Sequence, residues 1–193
     1  MHNISKQHPL IVTLVGMTGA GKSACVEYLE QKGYPSVYFG GITMSEVKRR
    51  GLEVNETNEK IVREELRASE GKDVMAKRIA AEIDHLANAG QTHIVADGLY
   101  SWSEYTYFKE KFGYNAVIIA IAAPRHLRHE RLQHRSVRPF SSADAIRREK
   151  NEIENIEKGG PIANADFTIV NDGSLEDLHK KLDSVLEEIG FFQ

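Results

Sequence analysis

Gly16-Met17-Thr18-Gly19-Ala20-Gly21-Lys22-Ser23 fits the pattern G-x-x-x-x-G-K-[ST] without a gap. Leu10 to Val15 before it is apolar and rich in β-branched residues, as a strand buried on both faces should be. Ala24 to Lys32 after it reads as a helix. Strand, glycine-rich loop and helix are what phosphate binding requires. Glycines let backbone N–H groups turn inward around an anion. The helix that follows offers unpaired N–H groups and the positive end of its dipole to the same anion. Gly16, Met17, Thr18, Gly19, Ala20, Gly21, Lys22, Ser23 and Ala24 are thus expected to hold a nucleoside triphosphate. Lys22 would reach the β- and γ-phosphates, and the Ser23 hydroxyl would bind Mg²⁺.

The rest of the chain is read outward from that loop. Its 193 residues suit one domain, with 41% hydrophobic and 27% charged residues, as in a soluble globular protein. A net charge of −3 gives no general attraction for nucleic acid or an anionic membrane. No apolar run approaches membrane-spanning length, and Met1 to Pro9 has no apolar signal core. The single cysteine, Cys25, excludes an internal disulfide and reads as a packing residue on the helix after the loop. These features fit a cytoplasmic protein.

Further strands are expected at Ser36 to Phe39, His93 to Asp97, Ala116 to Ala122 and Phe167 to Val170. Gly40-Gly41 should break the second, and Thr43 to Glu46 could cap a helix running to Arg50. A charged helix follows from Thr57 to Ser69, with Ile61, Val62 and Leu66 as its apolar side. Asp73 is placed as the N-cap of the next helix, Ser101 to Glu104 as a capping box, and Pro124 as a first helical residue. A helix from about Ala143 to Glu157 should end at Gly159-Gly160-Pro161. Ser174 should cap a last helix with Leu175, Leu178, Leu182, Val185, Leu186 and Ile189 as its stripe. Strands alternating with helices imply an α/β, three-layer fold of parallel strands joined by right-handed crossovers. Residues 40–72 and 135–142 read as insertions on one core.

Three groups of residues carry chemistry. Asp97, followed by Gly98, ends a central strand on the edge where open α/β sheets bind ligands, and is suited either to the Mg²⁺ shell or to accepting the acceptor's proton. Arg125, Arg128, Arg131, Arg135, Arg138, Arg147 and Arg148 crowd one segment. Arg131 and Arg135 share a helix face leading into the break at 136–142, where guanidinium groups could stabilise a phosphoryl group in transit. Others in the group could simply pair with Glu130, Glu149 and Glu152. In the 40–72 stretch Lys48, Arg49, Arg50, Arg63 and Arg67 could meet an anionic acceptor. Asn171-Asp172-Gly173-Ser174 forms a turn beyond the last strand, where backbone groups could face a base. Trp102, Tyr105, Tyr107 and Phe108 read as packing.

Several of these stretches together resemble the P-loop nucleotide kinases. The closest likeness is to the archaeal-type proteins related to dephospho-CoA kinase and adenylate kinase. The resemblance rests on Gly16 to Ser23, Glu46 to Leu52, Glu64 to Arg67, Ile94 to Gly98, Glu130 to Arg135 and Asn164 to Ser174. It implies a five-stranded parallel sheet, an acceptor-binding insertion at 40–72 and a short lid at 136–142. By that likeness Arg131 would lie on the adenine, with Asn171, Gly173 and Ser174 at its border. Arg135 would contact the transferred phosphate, and Arg50, Arg67, Asp97 and Gly98 would meet the acceptor. ATP and Mg²⁺ are the implied cofactors, with Lys22, Asp97, Arg131 and Arg135 as catalytic groups and Ser23 and Asp97 on the metal. The implied partner is a nucleotide-like small molecule, acted on by a monomer or homodimer. Dephospho-CoA is an alternative acceptor, although dephospho-CoA kinases carry Asp-Ala-Asp where this chain has Tyr38-Phe39-Gly40-Gly41. A nucleotide-dependent switch acting through a protein partner is the alternative outside the kinases.

Overall fold

A computed structural model describes residues 8–135 and 139–192. Five parallel strands form one sheet in the order β2-β3-β1-β4-β5. They are β1 (Leu10–Val15), β2 (Ser36–Tyr38), β3 (His93–Asp97), β4 (Ala116–Ala122) and β5 (Phe167–Val170). The helices are α1 (Lys22–Gln31), α2 (Phe39–Arg49), α3 (Glu56–Glu70), α4 (Val74–Asn88), α5 (Trp102–Phe112), α6 (Arg125–Gln133), α7 (Ser142–Glu154), α8 (Gly159–Ala163) and α9 (Leu175–Glu188).

Alternation along the central strands builds the three layers. Ile11 and Val15 of β1, with Ile118 and Ala120 of β4, face a core completed by Val47, Val62, Leu66, Ile79, Ile83 and Phe108. Val12 and Leu14, with Ile119 and Ile121, face the other way onto Cys25, Leu29, Leu178, Leu182 and Leu186. The 40–72 stretch therefore shares the core of the sheet through Val47, Val62 and Leu66. The central strands β1 and β4 have nearly every residue buried, so their reading as continuous apolar runs holds.

Some local expectations are corrected. The second strand stops at Tyr38, and α2 begins at Phe39 with Gly40 and Gly41 inside its first turn. The Tyr38 ring lies over Gly40, so the glycine makes room for an aromatic ring instead of breaking the chain. No capping box forms at Thr43 to Glu46. Thr43 is buried against Met75, and Glu46 holds Arg49 and Arg50. Asp73 stands at the N-cap of α4 without a capping bond and pairs with Lys77. Pro124 is the N-cap of α6, not its first helical residue. The capping boxes at Ser101/Glu104 and Ser174/Asp177 are present, and Ser141/Asp144 adds one at α7. Gly159-Gly160-Pro161 opens the short α8 after α7 has already ended at Glu154. Ile61 and Leu175 face solvent, each at the outer end of a stripe whose inner members are buried.

Candidate active site

The phosphate loop joins β1 to α1 at the C-terminal edge of the sheet, between the two strands that flank β1. Gly16 has φ +146°, and a Cβ there would meet the Ile121 carbonyl oxygen at 2.3 Å. Gly21 has φ +109°, and a Cβ there would meet the Asn171 amide at 2.3 Å. Both positions demand glycine because the loop is packed against the ends of β4 and β5. The first turn of α1 carries no acidic residue, so nothing on the helix neutralises its exposed N–H groups. Ser23 is exposed at that turn and Ala24 is half-buried.

Lys22 folds back over the loop and donates to the carbonyl oxygens of Gly16 at 2.8 Å and Met17 at 3.3 Å. Burial pushes its ammonium down to about 7, and the nearby Lys158 adds to that, while Asp97 and Glu152 pull the other way. A lysine so depressed lacks a full counter-charge, and an entering phosphate would supply it. Asp97 ends β3, in register with Leu14 of β1 and Tyr38 of β2. The Gly98 N–H donates to Leu14 O at 3.2 Å, which turns the chain away and leaves the carboxylate at the edge. Burial raises the Asp97 carboxyl, opposed by Lys22 and Lys158. Cys25 lies beneath this site, fully buried, and burial pushes its thiol up to about 12, so it is a packing residue.

A second set of groups meets the loop from α7 and the turn after it. The Glu152 carboxylate accepts from the Thr18 N–H at 3.1 Å and from the Thr18 hydroxyl. It also accepts from Lys158 Nζ at 2.9 Å and from Arg148 Nε at 3.4 Å. Glu152 is wholly buried and Lys158 is 2% exposed. Burial alone would raise the Glu152 carboxyl, but Lys158 and the Thr18 donors outweigh it and hold the group down at about 2. The sequence reading set Glu152 aside as a surface partner and did not single out Lys158. The signal was weak: a glutamate and a lysine six residues apart, brought together because α7 ends between them.

The arginines divide by role. Arg125, Arg128 and His129 surround Glu149 at 2.8, 2.5 and 3.1 Å. Arg128 also donates to Thr18 O at 3.4 Å and so braces the loop. Arg131 donates to Asn171 O from both terminal nitrogens at 3.3 Å, and Asn171 Nδ2 donates to Ala20 O at 2.8 Å. The structure thus brings Arg131, Asn171 and the phosphate loop together. Gly173 and Ser174 follow in the same turn, where Ser174 Oγ caps α9. Arg135 is exposed and makes no hydrogen bond or ion pair among the described residues. Arg138 and residues 136–138 of the expected lid lie outside the described residues. Of the remaining lid residues, Ser141 caps α7 and Ser142 begins it.

Beside the loop, between α3, the start of α5 and the end of α7, lie two adjoining cavities. The inner, of about 80 Å³, is walled by Tyr38, Tyr100, Arg63, Arg67, Arg148 and Glu152, among others. The outer, of about 330 Å³, shares Arg63, Arg67 and Ile156 with it and adds Lys60, Lys72, Asn151 and Asn155. Arg67 bonds the buried Glu104 at 3.1 Å, while its Nε is buried without a partner among the described residues. Arg63 is pushed down by burial and by the charges of Arg67 and Arg148. Arg50 points elsewhere, onto Glu46 and Glu65, and lines neither cavity. Of the basic residues expected to meet an acceptor, Arg63 and Arg67 line both cavities and Arg50 lines neither. Trp102 stacks on Tyr105 at 5.0 Å, as a packing pair.

Among the described residues no group of three or more His, Cys, Asp or Glu forms a metal cluster, and no helix is long and apolar enough to cross a membrane.

Comparison with known proteins agrees with this architecture. A model of the AAA domain matches residues 12–157. A shikimate kinase from Bacteroides thetaiotaomicron superposes with a TM-score of 0.57 at 10% identity, covering 94% of this chain and 98% of that one. A dephospho-CoA kinase from Campylobacter jejuni gives 0.57 at 19% identity, covering 94% and 97%. At such identities the likeness is one of fold, and the fold is P-loop-kinase-like. A UPF0200 protein from Thermococcus gammatolerans is 36% identical over 183 residues, covering 93% of this chain and 95% of its own. With the phosphate loop and five-stranded sheet in place, and that identity along nearly the whole of both chains, the protein belongs to the UPF0200 family.

Proposed function

We infer that the protein is an ATP-dependent phosphotransferase, moving the γ-phosphate of ATP to a small, nucleotide-like acceptor. One observation carries the reading. The phosphate loop, with its depressed Lys22, is joined through Glu152, which accepts from Thr18, to a cavity walled also by Arg63, Arg67 and Arg148. A switch ATPase needs the loop but not an arginine-lined cavity beside it.

The residues divide the work as follows. Loop N–H groups and Lys22 hold the donor's phosphates. Arg131, Asn171, Gly173 and Ser174 border the nucleoside. The Ser23 hydroxyl offers a hard oxygen ligand of the kind Mg²⁺ takes, and the ion would draw charge off the phosphates. Arg63 and Arg67 hold the acceptor's anionic part, and Gly98 makes room for the Tyr100 side chain that walls the inner cavity. In transfer, an acceptor oxygen bonds to the γ-phosphorus as the bond from that phosphorus to the β–γ bridging oxygen breaks. The acceptor's proton passes to Asp97, whose raised affinity for a proton suits it to the task, and the electron pair leaves with ADP. Arg135 closes from the lid side onto the moving group.

The test is ADP release from ATP and Mg²⁺, with and without nucleoside monophosphates, nucleosides and dephospho-CoA. The expected result is a rise of orders of magnitude with one acceptor, lost in Lys22→Ala. A slow Lys22-dependent rate indifferent to every acceptor would overturn the transferase reading and favour the switch.

A further inference from the structure

Glu152 and Lys158 are expensive residues to bury. Their pairing does not explain itself as a stability device, because apolar residues of the same volume do as well or better in such positions. Nor is the geometry casual. The Lys158 N–H donates to Glu152 O at 3.0 Å while Nζ reaches the same residue's carboxylate at 2.9 Å. The Lys158 ammonium also lies 4.9 Å from the centre of the Tyr100 ring. Glu157, immediately before it, has φ 60° and is the one non-glycine with positive φ among the described residues. That strained turn is what aims Lys158 inward.

The position is the telling part. Glu152 is the residue that touches both the phosphate loop, through Thr18, and the inner cavity. Lys22 covers the same loop from its other side, through Gly16 and Met17. Glu152 thus stands between the loop and the inner cavity, and the charge of its partner Lys158 acts on both Lys22 and Asp97. We propose that Lys158 is a second catalytic lysine, whose ammonium neutralises the phosphoryl group in transit, and that Glu152 is the positioning residue that presents it. The carboxylate meanwhile serves as an internal anion on the Thr18 donors until a phosphate displaces it. The proposal rests on the phosphotransferase reading, with bonds made and broken as given there.

MgADP with and without aluminium fluoride tests it by equilibrium binding, since the fluoride complex imitates the phosphoryl group between donor and acceptor. Lys158→Met should lose roughly a hundredfold in affinity for MgADP with aluminium fluoride and less than about threefold for MgADP alone. Lys158→Arg should keep most of the affinity. Glu152→Gln should lose a similar factor, and the double variant no more than the larger single loss, because the two act as one unit. Lys158→Met binding the fluoride complex like the parent protein would overturn the proposal. Should that variant fail to fold, an unchanged fluoride affinity in Glu152→Gln would overturn it equally. If the parent protein gains nothing from aluminium fluoride and shows no Lys22-dependent ADP release, it is the phosphotransferase reading that fails.

Discussion

Nucleotide binding should take up a proton, and the donor is the solvent around Lys22. With its ammonium at about 7, half of the lysine is neutral in the empty loop at neutral pH. A bound polyphosphate supplies the missing counter-charge and restores the charged form. If only charged Lys22 binds, the affinity follows the protonated fraction. It changes little below pH 6, halves by pH 7, then falls about tenfold per unit. From pH 6 to pH 9 the loss is roughly ninetyfold. Calorimetric titration with MgADP in two buffers of different ionisation enthalpy reads the proton directly. Near pH 8 the uptake should approach about 0.9 proton per nucleotide, with Mg²⁺ in excess so that the nucleotide's own phosphates do not titrate. Lys22→Met should bind weakly and without uptake. The sign is opposite for the empty protein. The unfolded chain holds this proton between about 7 and the ordinary lysine value of 10.5, so this group makes the unliganded protein more stable as pH rises through that window. Stabilisation by MgADP should therefore shrink from pH 7 to 9. An affinity flat between pH 6 and 9, or an uptake under about 0.2 proton at pH 8, would refute the account of Lys22 as a buried cation waiting for an anion.

Four further outcomes follow from the packing of the loop and of the cavity beside it. Gly21→Ala puts a Cβ at 2.3 Å from the Asn171 amide in a backbone region unsuited to alanine; urea unfolding should show a loss of about 2–4 kcal/mol, and MgADP binding should fall with it. Glu152→Gln leaves Lys158 buried without its charge partner and should cost about 3–5 kcal/mol at pH 7. The parent protein should lose the Glu152 contribution as pH drops from the ordinary 4.5 through about 2, and circular dichroism should show that acid limb shallower in the variant. Arg63→Ala breaks no ion pair among the described residues, so it should raise the acceptor's KM at least tenfold with a melting temperature close to the parent's. Arg67→Ala strands the buried Glu104 and should lower both affinity and stability.

What could be read from the sequence was whatever depends on neighbours along the chain. The phosphate loop, the apolar run of β4 and the capping box of Ser101 with Glu104 are local patterns with local causes. The strand count and parallel topology follow from their alternation. Arg131 and the turn after β5 could each be picked out from the sequence, one by helix spacing and one as a strand end, and the structure joins them through Asn171 O. Glu152 and Lys158 could not be picked out, since their meaning depends on α7 stopping at Glu154 and on a left-handed residue at Glu157. No pattern in Glu-Lys-Gly-Gly announces that turn. Arg50 lies on neither cavity for a related reason: an arginine four residues after Glu46 is captured by it before it can reach one. Likewise Gly40-Gly41 looks like a break until the Tyr38 ring is seen lying across it.

Cys25 is the one thiol of the chain, packed wholly inside the layer formed by α1 and α9, with a proton it surrenders only near pH 12. The folded protein is consequently blank to maleimides and other thiol-seeking dyes. A cysteine introduced at an exposed residue such as Thr57 on α3 or Ala143 on α7 would be the sole labelled atom in the molecule. Pairs of such dyes across the basic cavity would report the distance between its walls in single molecules, without removing any native residue first.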